Sequence, residues 1–255
     1  MAAPLQLIPL DHFPLVEPGD DLARLTAESL QANALQLREG DVLVFAQKVV
    51  SKAENRYKRL SQVNPSTRAV ALAEQVNKDA RLVELILGES TEVIRVRPGV
   101  MIVEHRSGSV LANAGIDRSN IHSDPDDPRV LLLPENPDRS ARGLRGELGR
   151  LTGVTPQVVI NDSVGRAWRN GTVGIAIGCA GLDPLHNQIG DLDLFGHVLE
   201  VTEPAVADEL AAAASLVMGQ AAEGCPVVLA RGFVFRQAEV GFSPLLRDKS
   251  LDMFR

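Results

Sequence analysis

The chain has 255 residues, of which 45% are hydrophobic, and its formal net charge is −7. This length and composition predict one large domain, or two small and closely packed ones, and exclude a disordered chain. The acidic balance argues against a nucleic-acid-binding protein, although local arginines can still bind a small anion.

The amino-terminal half mixes short apolar runs with helical patterns. The run DVLVFA is typical of a buried strand. Gly108 is typical of a hairpin turn, here between the predicted strand at Val100–Glu104 and the one that starts at Val110. In chain order, the patterns predict a strand at Leu5–Leu10, a helix from Asp20 or Asp21 to Leu35, a strand at Asp41–Ala46, a helix at Thr67–Leu87 that breaks near Asn77, and strands at Glu92–Val96, at Val100–Glu104 and from Val110.

The carboxyl-terminal half continues this irregular alternation. The patterns predict a loop at Asp124–Pro128, an arginine-rich helix at Pro137–Leu151, strands at Gln157–Ile160 and Thr172–Ile177, a helix at Glu203–Gln220, a strand at Val227–Ala230 and a short helix in the tail Leu245–Arg255. Some neighbouring strands are predicted to be joined by hairpin turns and others by helices. The fold class predicted from this mixture is α+β with mixed sheets.

Several common catalytic motifs are absent from the sequence. It contains no GxxxxGK[ST], no GxGxxG after a strand, no HExxH and no serine nucleophile elbow. Enzymatic chemistry would therefore depend on carboxylates, lysines, arginines and backbone groups. Cys179 and Cys225 form no CxxC pair and are expected to be buried free thiols. No apolar run approaches the roughly 18 residues that span a bilayer, and no secretory signal is evident, so we expect a cytoplasmic protein without membrane contact.

Two short stretches are rich in oxygen ligands. In VLANAGIDRSN, Asp117 follows glycine and small residues, and in VVINDSVGR, Asp162 follows a β-branched run and is expected to end a strand. Two such turns could share one or two hard divalent cations, which prefer carboxylate, hydroxyl and amide oxygens. Each turn alone is equally well explained by the turn-forming tendency of Asp and Asn.

Cationic side chains follow two of the predicted strands. Lys48 and Lys52 are four residues apart and could contact phosphates or form a solvated basic face. Arg166 and Arg169 flank Trp168 and could either hold an anionic substrate or cover the indole. Both interpretations remain open for each pair.

Six segments, taken together and in order, resemble the coenzyme F420-0:L-glutamate ligase family over nearly the whole chain. The stretches that match ANAG-[IV]-D and [IV]-[SN]-D-[ST]-x-G-R-x-W-R are the most specific. The segments are DVLVFAQKVVSKAENR, LANAGIDRSNI, LLPENPDRSARGLRGELGRLTG, VVINDSVGRAWRNGTVGIAIGCAGL, DLFGHVLEVTEPAVADELAAAASLVMGQAAEGCPVVLARG and RDKSLDMFR.

The resemblance implies an enzyme that couples GTP hydrolysis to amide formation. The acceptor would be the terminal carboxylate of F420-0, a deazaflavin cofactor precursor, and L-glutamate would add through its amine, with a possible second γ-linked addition. The resemblance also implies an unusual α+β fold, an intertwined homodimer, two divalent cations (Mg²⁺ or Mn²⁺) and K⁺. Residues 1–255 would form a single catalytic unit without a fused flavin-binding extension.

The resemblance also assigns site residues. Asp117 and Asp162 would be metal ligands, with Ser163 in place of a frequent threonine and Gln220 in place of a frequent glutamate. Arg166 and Lys52 would supply fixed positive charge for catalysis. The expected nucleotide-contacting residues are Asp11, His12, Phe13, Pro14, Gln47, Lys48, Lys52, Asn120 and the segment Met218–Cys225, including Met218 and Gly219. The sequence departs from the family at Asn187–Gly190, where members often carry Tyr-Arg-Gly.

Two alternatives stand beside this interpretation. One is a GTP-dependent ligase of the same fold that joins a different carboxylate and amine. The other is a nucleotide-binding protein without catalysis, against which the presence of Asp117, Asp162 and Lys52 argues, because a sensor would not need both metal carboxylates.

Overall fold

The computed structural model describes residues 4–253, and their secondary structure confirms the α+β class. Helices and strands alternate without a regular repeat. In chain order the elements are β1 (Gln6–Pro9), α1 (Leu22–Ala32), β2 (Val42–Ala46), α2 (Gln47–Ala53), β3 (Tyr57–Arg59), α3 (Thr67–Val76), α4 (Ala80–Gly88), β4 (Ser90–Arg97), β5 (Val100–His105), β6 (Val110–Ala112), β7 (Arg129–Leu131), α5 (Pro137–Thr152), β8 (Gln157–Arg166), β9 (Arg169–Ala180), α6 (Val206–Met218) and β10 (Val227–Arg231).

A mixed five-stranded sheet with the order β1-β10-β2-β8-β9 forms the centre of the larger core. Strands β2 and β8 are parallel, and the other neighbours are antiparallel. Leu43 and Phe45 pack in the cluster that includes residues of α1 and α5, whereas Val42 and Val44 pack in the cluster that includes α6. Both faces of β2 are therefore buried, which explains its uninterrupted apolar sequence.

A second core joins α3 and α4 to two small sheets, β4-β5-β6 and β3-β7. The predicted break in the long helix is confirmed. Asn77 adopts a left-handed conformation with φ of 50° and ends α3, and the Asp79 side chain accepts a hydrogen bond from the Arg81 amide and caps α4. This pair of signals lets the chain turn within a sequence that is helical on both sides.

The predicted end of the strand at Ile160 is wrong. Strand β8 continues to Arg166 and pairs with β9, so that Asp162 lies opposite Ile175 in the middle of a long hairpin. The apolar run ends where the sheet ceases to be covered on both faces, but backbone pairing needs no apolar side chains and continues. Asp162 is thus a strand residue and not a turn residue.

Two helix predictions also need correction. The last long helix begins at Val206 and ends at Met218, because Gly219 takes a backbone conformation with φ of 71° and ψ of −176° that is not helical. The tail contains only short 3₁₀ turns at Ser243–Leu245 and Lys249–Leu251, and residues 254 and 255 lie outside the described part. Between residues 4 and 253, no helix combines the length and apolar character needed to cross a membrane.

Candidate active site

A cavity of about 510 Å³ lies at the carboxyl ends of β2 and the apolar part of β8. These strands are parallel, with Ala46 opposite Asn161, so α2 and the polar part of β8 leave the sheet at the same edge. The segment from Phe13 to Glu17, the residues around Asn120 and the loop after α6 complete the wall. The volume is typical of sites for small molecules.

Most of the predicted site residues meet in this cavity. Its wall includes Phe13, Pro14, Gln47, Lys48, Lys52, Asp117, Asn120, Asp162, Ser163, Met218, Gly219 and Gln220. These residues come from five separate parts of the chain, which supports their common assignment without testing their individual roles.

Asp117 is held by both its backbone and its side chain. Its backbone exchanges two hydrogen bonds of 2.9 Å with Leu131, its Oδ2 lies 2.8 Å from Lys48 Nζ, and its Oδ1 accepts hydrogen bonds of 2.8 Å from the amide and hydroxyl of Ser119. Burial alone would raise the pKa of Asp117, but Lys48 and Ser119 outweigh it and lower the pKa. Asp117 is therefore a carboxylate at neutral pH.

Asp162 differs from Asp117 because it has no cation at salt-bridge distance within residues 4–253. Burial and, to a smaller extent, the charge of Asp117 raise the pKa of Asp162 to about 7, against the lowering effects of the Ser163 amide and Lys48. Two carboxylates thus repel each other while only one has a counter-ion. A pair of this kind gains from a bound cation.

The donors around the pair are hard oxygen ligands. No group of three or more His, Cys, Asp or Glu side chains suitable for a metal occurs in the described part of the chain. Ser163 and Gln220 also line the cavity, and a hydroxyl and an amide oxygen from them would have to add to the two carboxylates to complete a ligand set. Such a set suits Mg²⁺ or Mn²⁺ better than a soft metal.

The cavity also contains two lysines of α2, of which Lys48 is paired with Asp117 and Lys52 is not. Lys48 and Lys52 lie on successive turns of α2, and Lys52 forms no salt bridge with any residue from 4 to 253. Burial lowers the pKa of Lys52, and Lys48 and Arg129 lower it further although Glu17 acts in the opposite direction. Cations placed this close together are typical of a site for a polyanion.

The loop after α6 closes one side of the cavity. Asn120 Nδ2 donates a hydrogen bond of 2.8 Å to the Ala221 carbonyl and so joins this loop to the segment that carries Asp117. Gly219 ends the helix where a Cβ atom would lie 2.1 Å from Glu223 Cδ. Only glycine fits this turn without displacing the Glu223 side chain.

Several parts of the wall were not among the predicted site residues. Asn161 is buried, and its Nδ2 donates a hydrogen bond of 3.0 Å to Ser215 Oγ, which ties β8 to α6. Its position directly before Asp162, at the end of an apolar run, was a usable signal. Tyr57 and Arg129 also line the cavity, but no local pattern predicts them because they are distant in sequence.

Three predicted residues lie outside the cavity wall. Asp11 and His12 immediately precede the lining segment that begins at Phe13. Arg166 ends β8, four residues beyond Asp162, and an extended strand carries it roughly 13 Å away. It stands at the hairpin tip beside Trp168, whose side chain is 87% exposed. The catalytic role expected for Arg166 remains a prediction that the location does not favour.

The two cysteines are free, as expected, but only one is buried. Cys179 lies in the core, whereas Cys225 is half-buried in the cavity wall. Its Sγ lies 3.8 Å from Asp11 Oδ1.

Comparison with known proteins places this site in a family. The family model for F420-0:gamma-glutamyl ligase matches residues 11–232. The chain belongs to this family. All cavity-lining residues, from Phe13 to Pro226, fall within the matched F420-0:gamma-glutamyl ligase region, and the resemblance drawn from the six sequence segments is confirmed.

Several relatives within the F420-0:gamma-glutamyl ligase family are similar over most of their length. The coenzyme F420:L-glutamate ligase of Methanothermobacter thermautotrophicus is 47% identical over 253 residues, covering 98% of this chain and 99% of the relative. The ligase of the same name from Methanopyrus kandleri is 49% identical over 228 residues, covering 89% and 86%. That from Methanosarcina barkeri is 39% identical over 251 residues, covering 98% and 94%.

Proposed function

We propose that this protein uses GTP to join L-glutamate to coenzyme F420-0 through an amide bond. The names of the relatives support the two substrates. One observation supports the dependence on a nucleotide: the same cavity contains the carboxylates of Asp117 and Asp162 and the unpaired ammonium group of Lys52. This combination suits a metal-bound polyphosphate.

The proposed reaction has two steps because a carboxylate does not react with an amine at neutral pH. In the first step, the terminal carboxylate of F420-0 attacks the γ-phosphorus of GTP, which yields an acyl phosphate and GDP. In the second step, the glutamate amine attacks the acyl carbon, phosphate leaves with the electrons of the broken C–O bond, and the amine releases its proton to water. Phosphoryl transfer of this kind depends mainly on positioning and charge neutralisation.

The residues of the chain would divide these tasks. Lys52, with Lys48 beside it, would bind the phosphates, and Gln47 begins the helix that holds both lysines. Phe13, Pro14, Asn120 and the segment from Met218 would enclose the nucleotide. These groups would hold the γ-phosphoryl group and the acceptor carboxylate at reacting distance, where their mutual repulsion otherwise keeps them apart.

The same proposal includes two divalent cations and K⁺. Asp117, Asp162, Ser163 and Gln220 would hold the divalent ions, and the lack of a counter-ion at Asp162 supports this fit. A bound divalent cation would neutralise phosphate charge and so favour phosphoryl transfer. The proposed K⁺ rests on the family resemblance alone.

We also propose that the protein is a cytoplasmic homodimer, in which a largely exposed segment, here called the arm, contributes to the interface. Residues 187–201 form this arm, with an isolated antiparallel bridge between Leu192 and Val198. Leu194 is 99% exposed and Phe195 is 85% exposed near its turn. Adjacent apolar side chains at such exposure are typical of contact surfaces.

Measurement of GDP release tests the proposed reaction against its two alternatives. GDP release that requires both F420-0 and L-glutamate supports the proposal. Release only with a different carboxylate and amine would instead identify a ligase of the same fold with other substrates. Tight GTP binding without turnover under any combination would identify a nucleotide-binding protein that does not catalyse the reaction.

A further inference from the structure

Arg129 presents a guanidinium group to the cavity from a strand that sequence reasoning did not connect with the site. Its Cζ lies 4.1 Å from the centre of the Tyr57 ring, and its Nε donates a hydrogen bond to the His122 carbonyl. The two side chains form a diagonal pair across β3 and β7, since Tyr57 is opposite Leu131 and Arg129 is two residues away. The guanidinium is therefore fixed before any ligand arrives.

The charge of Arg129 is not matched by a carboxylate. In the described part of the chain it forms no salt bridge, whereas Arg59, its direct partner in the strand register, pairs with Asp127. Lys52, also unpaired, lies near enough for Arg129 to lower its pKa. These two neighbouring cations repel each other, and Glu17, the cavity carboxylate that acts on Lys52, forms a salt bridge with neither of them, so a bound anion would stabilise both.

The location of Arg129 relative to the carboxylates is also fixed by β7. Leu131, two residues further along this strand, exchanges both backbone hydrogen bonds with Asp117. One short strand thus places a carboxylate of the proposed metal site and an unpaired guanidinium on the wall of the same cavity. A metal-bound polyphosphate has the complementary arrangement, with the cation at one phosphate and free phosphate oxygens at the next.

We propose that Arg129 binds a phosphate group of the nucleotide, and that Tyr57 is a positioning residue that holds the Arg129 guanidinium in place. The inference rests on the proposed function, because it assumes that the nucleotide occupies this cavity. The guanidinium offers planar paired donors that match phosphate oxygens, which an ammonium group at the same place would not reproduce.

The test is calorimetric titration of the full-length protein with GTP in the presence of Mn²⁺. Arg129→Met should weaken GTP binding by about 10-fold to 100-fold, the range expected for loss of a charged hydrogen bond. Arg129→Lys should recover only part of this loss. The matched control is Arg59→Met, which removes the same charge from the paired position and should change GTP affinity by no more than about twofold.

Variants at Tyr57 test the positioning role. Tyr57→Phe keeps the ring and should bind GTP like the wild type, whereas Tyr57→Leu should weaken GTP binding, although by less than Arg129→Met. Recovery with phenylalanine separates ring stacking from a role of the hydroxyl. Thermal unfolding of each variant shows whether the fold is retained. If Arg129→Met does not fold, the GTP affinities of Arg129→Lys, Tyr57→Phe and Tyr57→Leu show whether Arg129 contributes to GTP binding.

Three results would overturn the inference while leaving the proposed function intact. The first is a GTP affinity that is unchanged in Arg129→Met, and the second is an equal loss of GTP affinity in Arg129→Met and Arg59→Met. The third is a raised KM for F420-0 in Arg129→Met with unchanged GTP binding, which would assign Arg129 to the binding of the acceptor. If the wild-type protein binds no GTP yet still forms the glutamyl product, the nucleotide proposal and this inference fail together, but the ligase assignment stands.

Discussion

Lys48 Nζ lies 2.8 Å from Asp117 Oδ2, so the ammonium group neutralises one of the two carboxylates that face each other in the cavity. Asp162, the other carboxylate, has no such partner among residues 4–253. Lys48 therefore occupies a place beside Asp117 where a metal ion would compete with it.

This competition predicts opposite effects for the two lysines of α2. Lys48→Met should strengthen Mn²⁺ binding in the absence of nucleotide by roughly tenfold, because it removes a positive charge next to the two carboxylates of the proposed metal site. Lys52→Met should leave Mn²⁺ binding nearly unchanged and weaken GTP binding by about tenfold. Titration of free Mn²⁺ by electron paramagnetic resonance measures the first effect. Weaker Mn²⁺ binding in Lys48→Met would show that Lys48 supports the metal and does not compete with it.

Asp162 should be essential for metal-dependent turnover. Asp162→Ala should lower GTP turnover by about 10²-fold or more while leaving the fold intact, since it removes a preorganised charge from the reacting centre. Glu39→Ala is the control, because Glu39 is an exposed carboxylate outside the cavity. Near-normal turnover in Asp162→Ala with an unchanged metal requirement would remove Asp162 from the ligand set.

The contact between the β8–β9 hairpin and α6 depends on Gly174. A Cβ atom there would lie 2.3 Å from Ser215 Oγ and 2.5 Å from the Ala211 carbonyl, whereas nothing lies within 4 Å of one at Gly165 on the same hairpin. Gly174→Ala should lower the free energy of unfolding by about 1–3 kcal/mol, and Gly165→Ala should have little effect. Urea denaturation of both variants measures the difference in their free energies of unfolding. Equal free energies would show that α6 moves to accommodate the added methyl group without a loss of stability.

The buried Glu89 should make stability depend on pH. Its Oε2 lies 2.9 Å from Arg56 and 3.1 Å from Arg106. Burial favours a higher pKa for Glu89, but His105, Arg56 and Arg106 outweigh burial and lower the pKa below its usual value of 4.5. A carboxylate with a lowered pKa stabilises the fold above the pKa of the unfolded state, and this stabilisation is lost as the pH falls through the folded-state value.

Glu89→Gln should therefore destabilise the protein by about 2 kcal/mol at pH 7. The difference from the wild type should shrink as the pH falls below 4.5. Glu28→Gln is the control, because its pair with Arg24 is exposed and contributes little. Chemical denaturation at several pH values measures both variants, and a difference that is constant with pH would contradict the assigned role of the Glu89 charge.

The sequence predicted those features that depend on local physics. The apolar run of β2 indicated a buried strand, and the break near Asn77 between α3 and α4 was predicted. The oxygen-rich stretches around Asp117 and Asp162 were recognisable, and the family resemblance brought them together before the structure did so.

Features that depend on long-range pairing were not predictable in this way. The continuation of β8 beyond Ile160 requires β9 as a partner and leaves no apolar signal in the polar part of the strand. The stacking of Arg129 on Tyr57 requires β3 to pair with β7, which lie far apart in sequence. Arg166 was assigned a catalytic role together with Lys52, and because an extended strand separates it from Asp162, that role stays a prediction that its location does not favour.

Mass spectrometry of F420-0 after incubation with the protein, GTP, Mn²⁺ and L-glutamate tests whether the protein is a GTP-dependent glutamate ligase. We expect a mass gain of one glutamyl unit in the product, with one GDP formed for each unit added and no gain when either GTP or L-glutamate is omitted. GDP release without any change in the mass of F420-0, or a mass gain that does not require GTP, would contradict this function.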